Sequence, residues 1–280
     1  MSSGYGILMG YDGSPGSERA LSWAAREARA RGTALTVCHV WTLGFTVPPE
    51  QAELVLDLAR RSGEQVIAWG LRHARDVMPP DLVREWLAEG PAAAVLCEGA
   101  RDADMVVLGS RGRGGLARLL LGSVSSQVAA HAPGRVVVVR GHWRPAGGYV
   151  PGPIVVGADG SAASWAAVDF AFEQAALRDA PLLAVCALAD APGSLGGSRS
   201  RQEEFEQAMI RLEKEHPGIA VLRHVATGSA RDALLAAARD AQMLVVGSRG
   251  REGLRGMLLG SVSQALICHA PCPVGVVHPG

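Results

Sequence analysis

Residues 105–133 read MVVLGSRGRGGLARLLLGSVSSQVAAHAP, and residues 243–271 read MLVVGSRGREGLRGMLLGSVSQALICHAP. The two stretches align without a gap and share 18 of 29 residues. Each opens with an apolar run rich in branched residues, the pattern of a buried strand. The run passes into Gly-Ser-Arg-Gly, and ten residues later Gly-Ser-Val-Ser opens a helical pattern that stops at His-Ala-Pro. An earlier echo accompanies it, an apolar run ending in Gly-x-Asp-Gly-Ser at Gly10–Ser14 and again at Gly157–Ser161. Such paired echoes mark a duplicated unit. The sequence therefore predicts a first domain over 1–141, a Gly/Pro-rich linker over 142–152 and a second domain over 153–280.

Outward from these motifs, strand and helix signals alternate. In the first half strands are expected at 5–12, 33–41, 81–89, 104–108 and 135–140, with helices at 15–31, within 49–77, at 91–101 and at 122–131. The second half repeats this, with strands at 153–159, 182–188, 219–226, 242–246 and 274–277. Continuous apolar strands separated by helices imply a parallel sheet covered on both faces. The expected fold is α/β: two tandem doubly wound, Rossmann-like domains, each a five-stranded parallel sheet.

Composition narrows the function. Acidic and basic residues balance at 27 each, which argues against a general nucleic-acid partner. No apolar stretch approaches the ~20 residues of a membrane span, and no leader pattern opens the chain, so a cytoplasmic protein is expected. The five cysteines lack paired metal-ligand spacing and read as free thiols of a reducing compartment. Lys214 is the only lysine among many arginines, a bias that suits a GC-rich bacterial source.

The chemistry sits in the loops at the strand ends, where doubly wound folds bind ligands. Glycine lets backbone approach a ligand, and a helix start offers unpaired amides and partial positive charge to phosphate. Gly109, Gly112 and Gly122 supply the first requirement, and Ser123, Val124 and Ser125 the second. Gly247, Gly250, Gly260, Ser261, Val262 and Ser263 repeat them. The Ser123, Ser125, Ser261 and Ser263 hydroxyls are candidate phosphate donors, and Arg111, Arg113, Arg249 and Arg251 candidate charges. Asp12 and Asp159, closing the first strand of each half, suit a ribose, an amino group or a metal better than a phosphate, or else a plain Asp-Gly turn. A Walker loop is excluded because the lone lysine follows Glu213. The Gly-x-Gly-x-x-Gly/Ala pattern starting at Gly112 is broken in the second copy by Glu252.

The spacing Gly-x2-Gly-x9-Gly-Ser, met by Gly109, Gly112, Gly122 and Ser123 and again by Gly247, Gly250, Gly260 and Ser261, resembles the nucleotide-binding branch of the universal stress protein family. The resemblance spans both halves. It implies ATP as ligand, commonly with Mg2+, and a regulatory role in stress response. It implies that Asp12 and Asp159 face the nucleoside, that backbone at Val40 and Leu188 reads adenine, and that the glycine loops with Arg111 and Arg249 hold phosphates. It also implies a pseudo-dimer within one chain, strand 135–140 pairing with 274–277, with a homodimer as a further option. Hydrolysis needs a positioned water and a base. No dedicated carboxylate or histidine is shared by both loops, so at most weak ATPase activity is expected; the rival reading is an interaction module without nucleotide. Glu252 in place of Gly114, partly offset by Arg255 in place of Ala117, makes the first site the tighter one. Leu188 and Ala189 are read as standing for Val40 and Trp41, and Ala187 for His39.

Overall fold

The computed structural model describes residues 4–43, 47–112, 121–140, 152–188, 195–251 and 258–279, excepting the side chains of 195–198. The chain divides into two compact units, Met1–Val139 and Arg140–Gly280. The first runs β1 (Gly6–Gly10), α1 (Pro15–Arg31), β2 (Leu35–Trp41), α2 (Pro49–Arg75), β3 (Val83–Glu89), α3 (Ala92–Gly99), β4 (Ala103–Gly109), α4 (Ser123–His131) and β5 (Arg135–Val139). Its strands pair in parallel in the order β3-β2-β1-β4-β5. The second runs β6 (Ile154–Gly157), α5 (Ala162–Arg178), β7 (Leu182–Leu188), α6 (Leu195–Glu215), β8 (Val221–Thr227), α7 (Ala230–Ala237), β9 (Met243–Gly247), α8 (Ser261–His269) and β10 (Val274–Val277). Its order, β8-β7-β6-β9-β10, is the same, again all parallel. Both units are doubly wound α/β domains.

The central strands carry no polar side because helices cover both faces. Ile7, Leu8, Val107 and Val137, like Ile154, Val155, Leu244 and Val245, are fully buried. α1 lies close to the sheet through Ala20, Ala24 and Ala28, a stripe of small buried residues at i, i+4 spacing. Ser14 caps it by accepting from Ser17 N, Pro15 fills its first turn, and Gly32 ends it at φ 65°. In the second unit Ser161 caps α5 in the same way, but Asp179 takes the left-handed terminal position at φ 48°. The third strand of each unit starts two residues later than its pattern suggests. Pro80–Leu82 form a 3-10 turn before β3, and Ile219 N closes a turn onto His216 O before β8.

In each unit the chain leaves the first strand on one side to form two neighbours, then returns to its other side. The carboxyl ends of β1 and β4, and of β6 and β9, therefore flank the point where strand order reverses.

Candidate functional site

Asp12 follows β1 after Tyr11, and Asp159 follows β6 after Ala158. Asp12 Oδ1 accepts from Ser14 N at 3.0 Å, and Asp159 Oδ1 from Ser161 N at 3.0 Å. Asp159 Oδ2 also accepts from Arg251 N at 2.9 Å, so the carboxylate holds both the turn and the glycine loop. Burial pushes the Asp159 carboxyl up, but hydrogen bonds from Ser161, Arg251 and Ser164 together outweigh it and leave it below the ordinary range.

Two of the three glycines in each loop are closely crowded, one by backbone and one by the strand-end carboxylate. A Cβ on Gly109 would lie 2.5 Å from the carbonyl carbon of Gly16, and one on Gly247 would lie 2.7 Å from that of Ala163. A Cβ on Gly112 would overlap Asp12 Oδ2, and one on Gly250 would lie 2.5 Å from Asp159 Oδ2. The loops are also tied to two helix starts. Ser14 Oγ donates to Arg111 O, and Ser161 Oγ to Arg249 O, each at 3.3 Å. Ser125 Oγ donates to Gly109 O at 2.6 Å and Ser263 Oγ to Gly247 O at 2.7 Å. This corrects the expectation that these two hydroxyls donate to phosphate. Both are buried, and each donates to a strand-end carbonyl. Their backbone amides remain at the helix start.

Gly122 and Gly260 differ from the other glycines. Their backbones are ordinary, φ −73°, ψ 153° and φ −70°, ψ 150°, conformations open to any residue. The nearest atom to an added Cβ is 3.5 Å away at Gly122 and 3.4 Å at Gly260, normal van der Waals contact. Each turns its own amide back onto the loop, to Ser110 O at 2.8 Å and Ser248 O at 2.7 Å. The intrahelical bonds begin with Ser126 N to Gly122 O and Gln264 N to Gly260 O. The amides of Ser123, Val124 and Ser125, and of Ser261, Val262 and Ser263, stand ahead of that first bond.

In the first unit a cavity of about 300 Å³ opens between these groups. That is the low end of the range for small-molecule pockets, about 300–1,000 Å³. Asp12 and Val40 line it from the strand ends, Gly109, Arg111 and Gly112 from the loop, and Gly122 to Ser125 from the helix start. Residues not assigned to the site from sequence also line it, among them Tyr11, Cys38, Ala92, Leu96 and Leu108. Strand alternation pairs Cys38 with Val40, and helical spacing pairs Ala92 with Leu96, so periodicity was the signal that could have found them. Burial pushes the Cys38 thiol up to about 12. Burial, then the Glu18 and Asp12 carboxylates, push the Tyr11 hydroxyl up to about 12. Both are neutral, weakly reactive wall residues at physiological pH.

Strand pairing corrects the correspondence between the copies at their second strands. Tyr11 N donates to Cys38 O and Ala158 N to Val185 O, while Gly90 N donates to Trp41 O and Gly228 N to Leu188 O. Cys38 thus matches Val185 and Trp41 matches Leu188. The counterpart of Val40 is Ala187, not Leu188, and that of His39 is Cys186. A one-residue slip in a strand turns a side chain to the opposite face. Leu188 is buried, whereas Ala187, like Val40, is half-buried. His39 itself is occupied structurally, its Nδ1 donating to Tyr11 O at 2.7 Å.

Arg113, Gly114, Ala117, Ala189, Glu252, Arg255 and residues 142–151 of the expected linker lie outside the described residues. Among the described residues no three His, Cys, Asp or Glu side chains converge as a metal site. Among them, too, no helix is long and apolar enough to cross a membrane.

With this geometry, the comparisons with known proteins agree on one family. The model of the universal stress protein family matches residues 6–140 and again 152–278. A universal stress protein of Mycolicibacterium smegmatis is 36% identical over 289 residues, covering 98% of this chain and 97% of that protein. Universal stress protein Rv2005c of Mycobacterium tuberculosis is 36% identical over 287 residues, covering 98% and 97%. The chain therefore belongs to the universal stress protein family and carries the family's domain twice. In fold, it is similar to the crystal structure of a universal stress protein from Archaeoglobus fulgidus, with a TM-score of 0.75 at 20% identity, covering 99% of this chain and 100% of that one.

Proposed function

We propose that the chain is an ATP-binding universal stress protein, a nucleotide-dependent regulator with one site per unit. The observation that carries this reading is the pair Gly122 and Gly260. Neither backbone angle nor neighbouring atoms call for glycine there, so a bare Cα at the helix start is explained by a ligand that must come close. In the first site the Gly109–Gly112 loop with Arg111 and the amides of Ser123, Val124 and Ser125 hold the phosphates. Asp12 faces the ribose, and Val40 with the neutral Cys38 faces the base. In the second site Asp159, Ala187, Gly247, Arg249, Gly250, Gly260, Ser261, Val262 and Ser263 take these parts, Ala187 standing where Leu188 had been expected. Mg2+ arrives on the phosphates, because the described side chains offer no cluster of their own. The boundary of the two domains lies in the 142–152 linker, and the first site binds more tightly because Glu252 adds negative charge to the second loop.

The test is to purify the protein without added nucleotide, denature it and chromatograph what is released. One or two equivalents of ATP support the reading, since survival through purification implies about micromolar affinity or better. ADP in its place points to slow hydrolysis, and AMP or cyclic AMP to a different phosphate count. An empty chain that also gives no calorimetric heat with ATP overturns the reading in favour of an interaction module.

A further inference from the structure

A charged contact lies at the turn that follows the strand-end aspartate of the second unit. In the second unit Arg251, next to Gly250, has its amide on Asp159 Oδ2 at 2.9 Å, and its guanidinium Nη1 lies 3.7 Å from Glu204 Oε2 on α6. The guanidinium passes over Gly160, where an added Cβ would come within 3.1 Å of Nη1 and where φ is +82°. Glu204 therefore reaches the rim of the loop from a different element.

Among the described residues of the first unit, an apolar side chain stands at the corresponding place. Aligned through the third strands, Phe205 and Met209 of α6 take the positions of Ile67 and Leu71 of α2, and all four are at most 4% exposed. Glu204 then takes the position of Val66. Val66 Cγ1 stands 3.5 Å from where a Cβ on Gly13 would be, the same spot that Arg251 covers over Gly160. One copy presents a methyl to the turn after its strand-end aspartate, and the other presents an ion pair.

We infer that Glu204 is a specificity-determining residue of the second site, which selects against highly charged phosphate chains by engaging Arg251 and opposing the ligand's charge. The inference rests on the nucleotide reading of the two loops. A triphosphate must draw Arg251 away from Glu204 or bind beside an uncompensated carboxylate. A monophosphate, ending short of the loop rim, meets neither cost. Charges at such a rim interact through a partly aqueous medium, so the effect is a moderate change of preference and not a block. The paired sites then respond to different members of one nucleotide pool, the Val66 site favouring the triphosphate more strongly.

The experiment isolates the second site with Gly122→Glu and titrates ATP and AMP calorimetrically, with and without Glu204→Gln. The expected result is ATP affinity tightened about threefold to tenfold, as befits removal of one rim charge, and AMP affinity unchanged within about twofold. The reciprocal Val66→Glu, in a chain whose second site is closed by Gly260→Glu, weakens ATP relative to AMP at the first site. Unchanged ATP affinity in Glu204→Gln, or equal changes for ATP and AMP, overturns the inference while leaving nucleotide binding intact. No binding of either nucleotide by the unmodified chain overturns the nucleotide reading itself, and this inference with it.

Discussion

Gly112 leaves room for the Asp12 carboxylate: a methyl on residue 112 would overlap Asp12 Oδ2. The acid that ends the first strand and the glycine that starts the loop are thus a matched pair. Gly112→Ala must push the loop or the carboxylate aside. The expected outcome is a loss of first-site ATP affinity of about tenfold or more, consistent with an interaction cost above about 1.4 kcal/mol. Calorimetry in a Gly260→Glu background measures it, and unaltered affinity would show that the contact relaxes freely.

Gly122 makes the opposite case. Serine is a better helix N-cap than glycine by a few tenths of a kcal/mol, so Gly122→Ser leaves the fold as stable or slightly more so. The same change places a side chain on the cavity floor and is expected to weaken ATP binding. Urea denaturation and ligand titration on one preparation separate the two effects. A variant that binds as well as the parent would remove the main support for the proposed ligand position.

Asp159 makes stability depend on acid. Hydrogen bonds hold its folded-state pKa below the ordinary carboxylate value, so its contribution is complete above the unfolded value of about 3.9 and is lost as pH falls through the folded one. Asp159→Asn is therefore expected to lower stability at pH 7 and to lose less further stability than the parent between pH 5 and pH 3. Parallel acid dependence in the two proteins would assign the acid sensitivity to other groups.

Asp179 sits at φ 48°, in the place that Gly32 fills at φ 65° in the first copy. A side chain there carries a conformational cost, so Asp179→Gly is expected to stabilise the second unit by about 0.5–1 kcal/mol. Denaturant titration reads this directly, and a loss of stability would mean that the Asp179 side chain contributes more than its backbone costs.

The register of β7 gives a further test. Leu188 is 8% exposed, and Leu188→Ala is expected to cost about 2–4 kcal/mol of stability through a cavity. Ala187→Leu is expected to weaken nucleotide binding at the second site with little effect on stability. A reversed pattern would place the wall of that site on the other face of the strand.

Sequence periodicity was enough for the fold because helices cover the sheets on both faces, so nearly every central strand residue is apolar, as at Ile7–Met9 and Leu244–Val246. That same uniformity hid the register of the second strand. His39 in Cys38-His-Val-Trp41 has no polar counterpart in Val185-Cys-Ala-Leu188, where Cys186 takes its place, so only ladder partners distinguish Ala187 from Leu188. The loop glycines were legible because their spacing repeats. The commitment of the Ser125 and Ser263 hydroxyls was not, since it depends on a carbonyl 16 residues away. The Glu204–Arg251 contact was equally hidden, joining residues that no local motif links.

The second strands of the two copies hold the same rungs, so Leu35–Trp41 and Leu182–Leu188 are matched in register as cassettes for exchange. Grafting one onto the other keeps the ladder register and exchanges the wall it presents, together with the bonds that Thr36 and His39 donate to Tyr5 O and Tyr11 O. The duplication thus left a chain in which one half can be re-tuned while the other preserves the original wiring, and hybrids of the two halves provide a ready internal control for each.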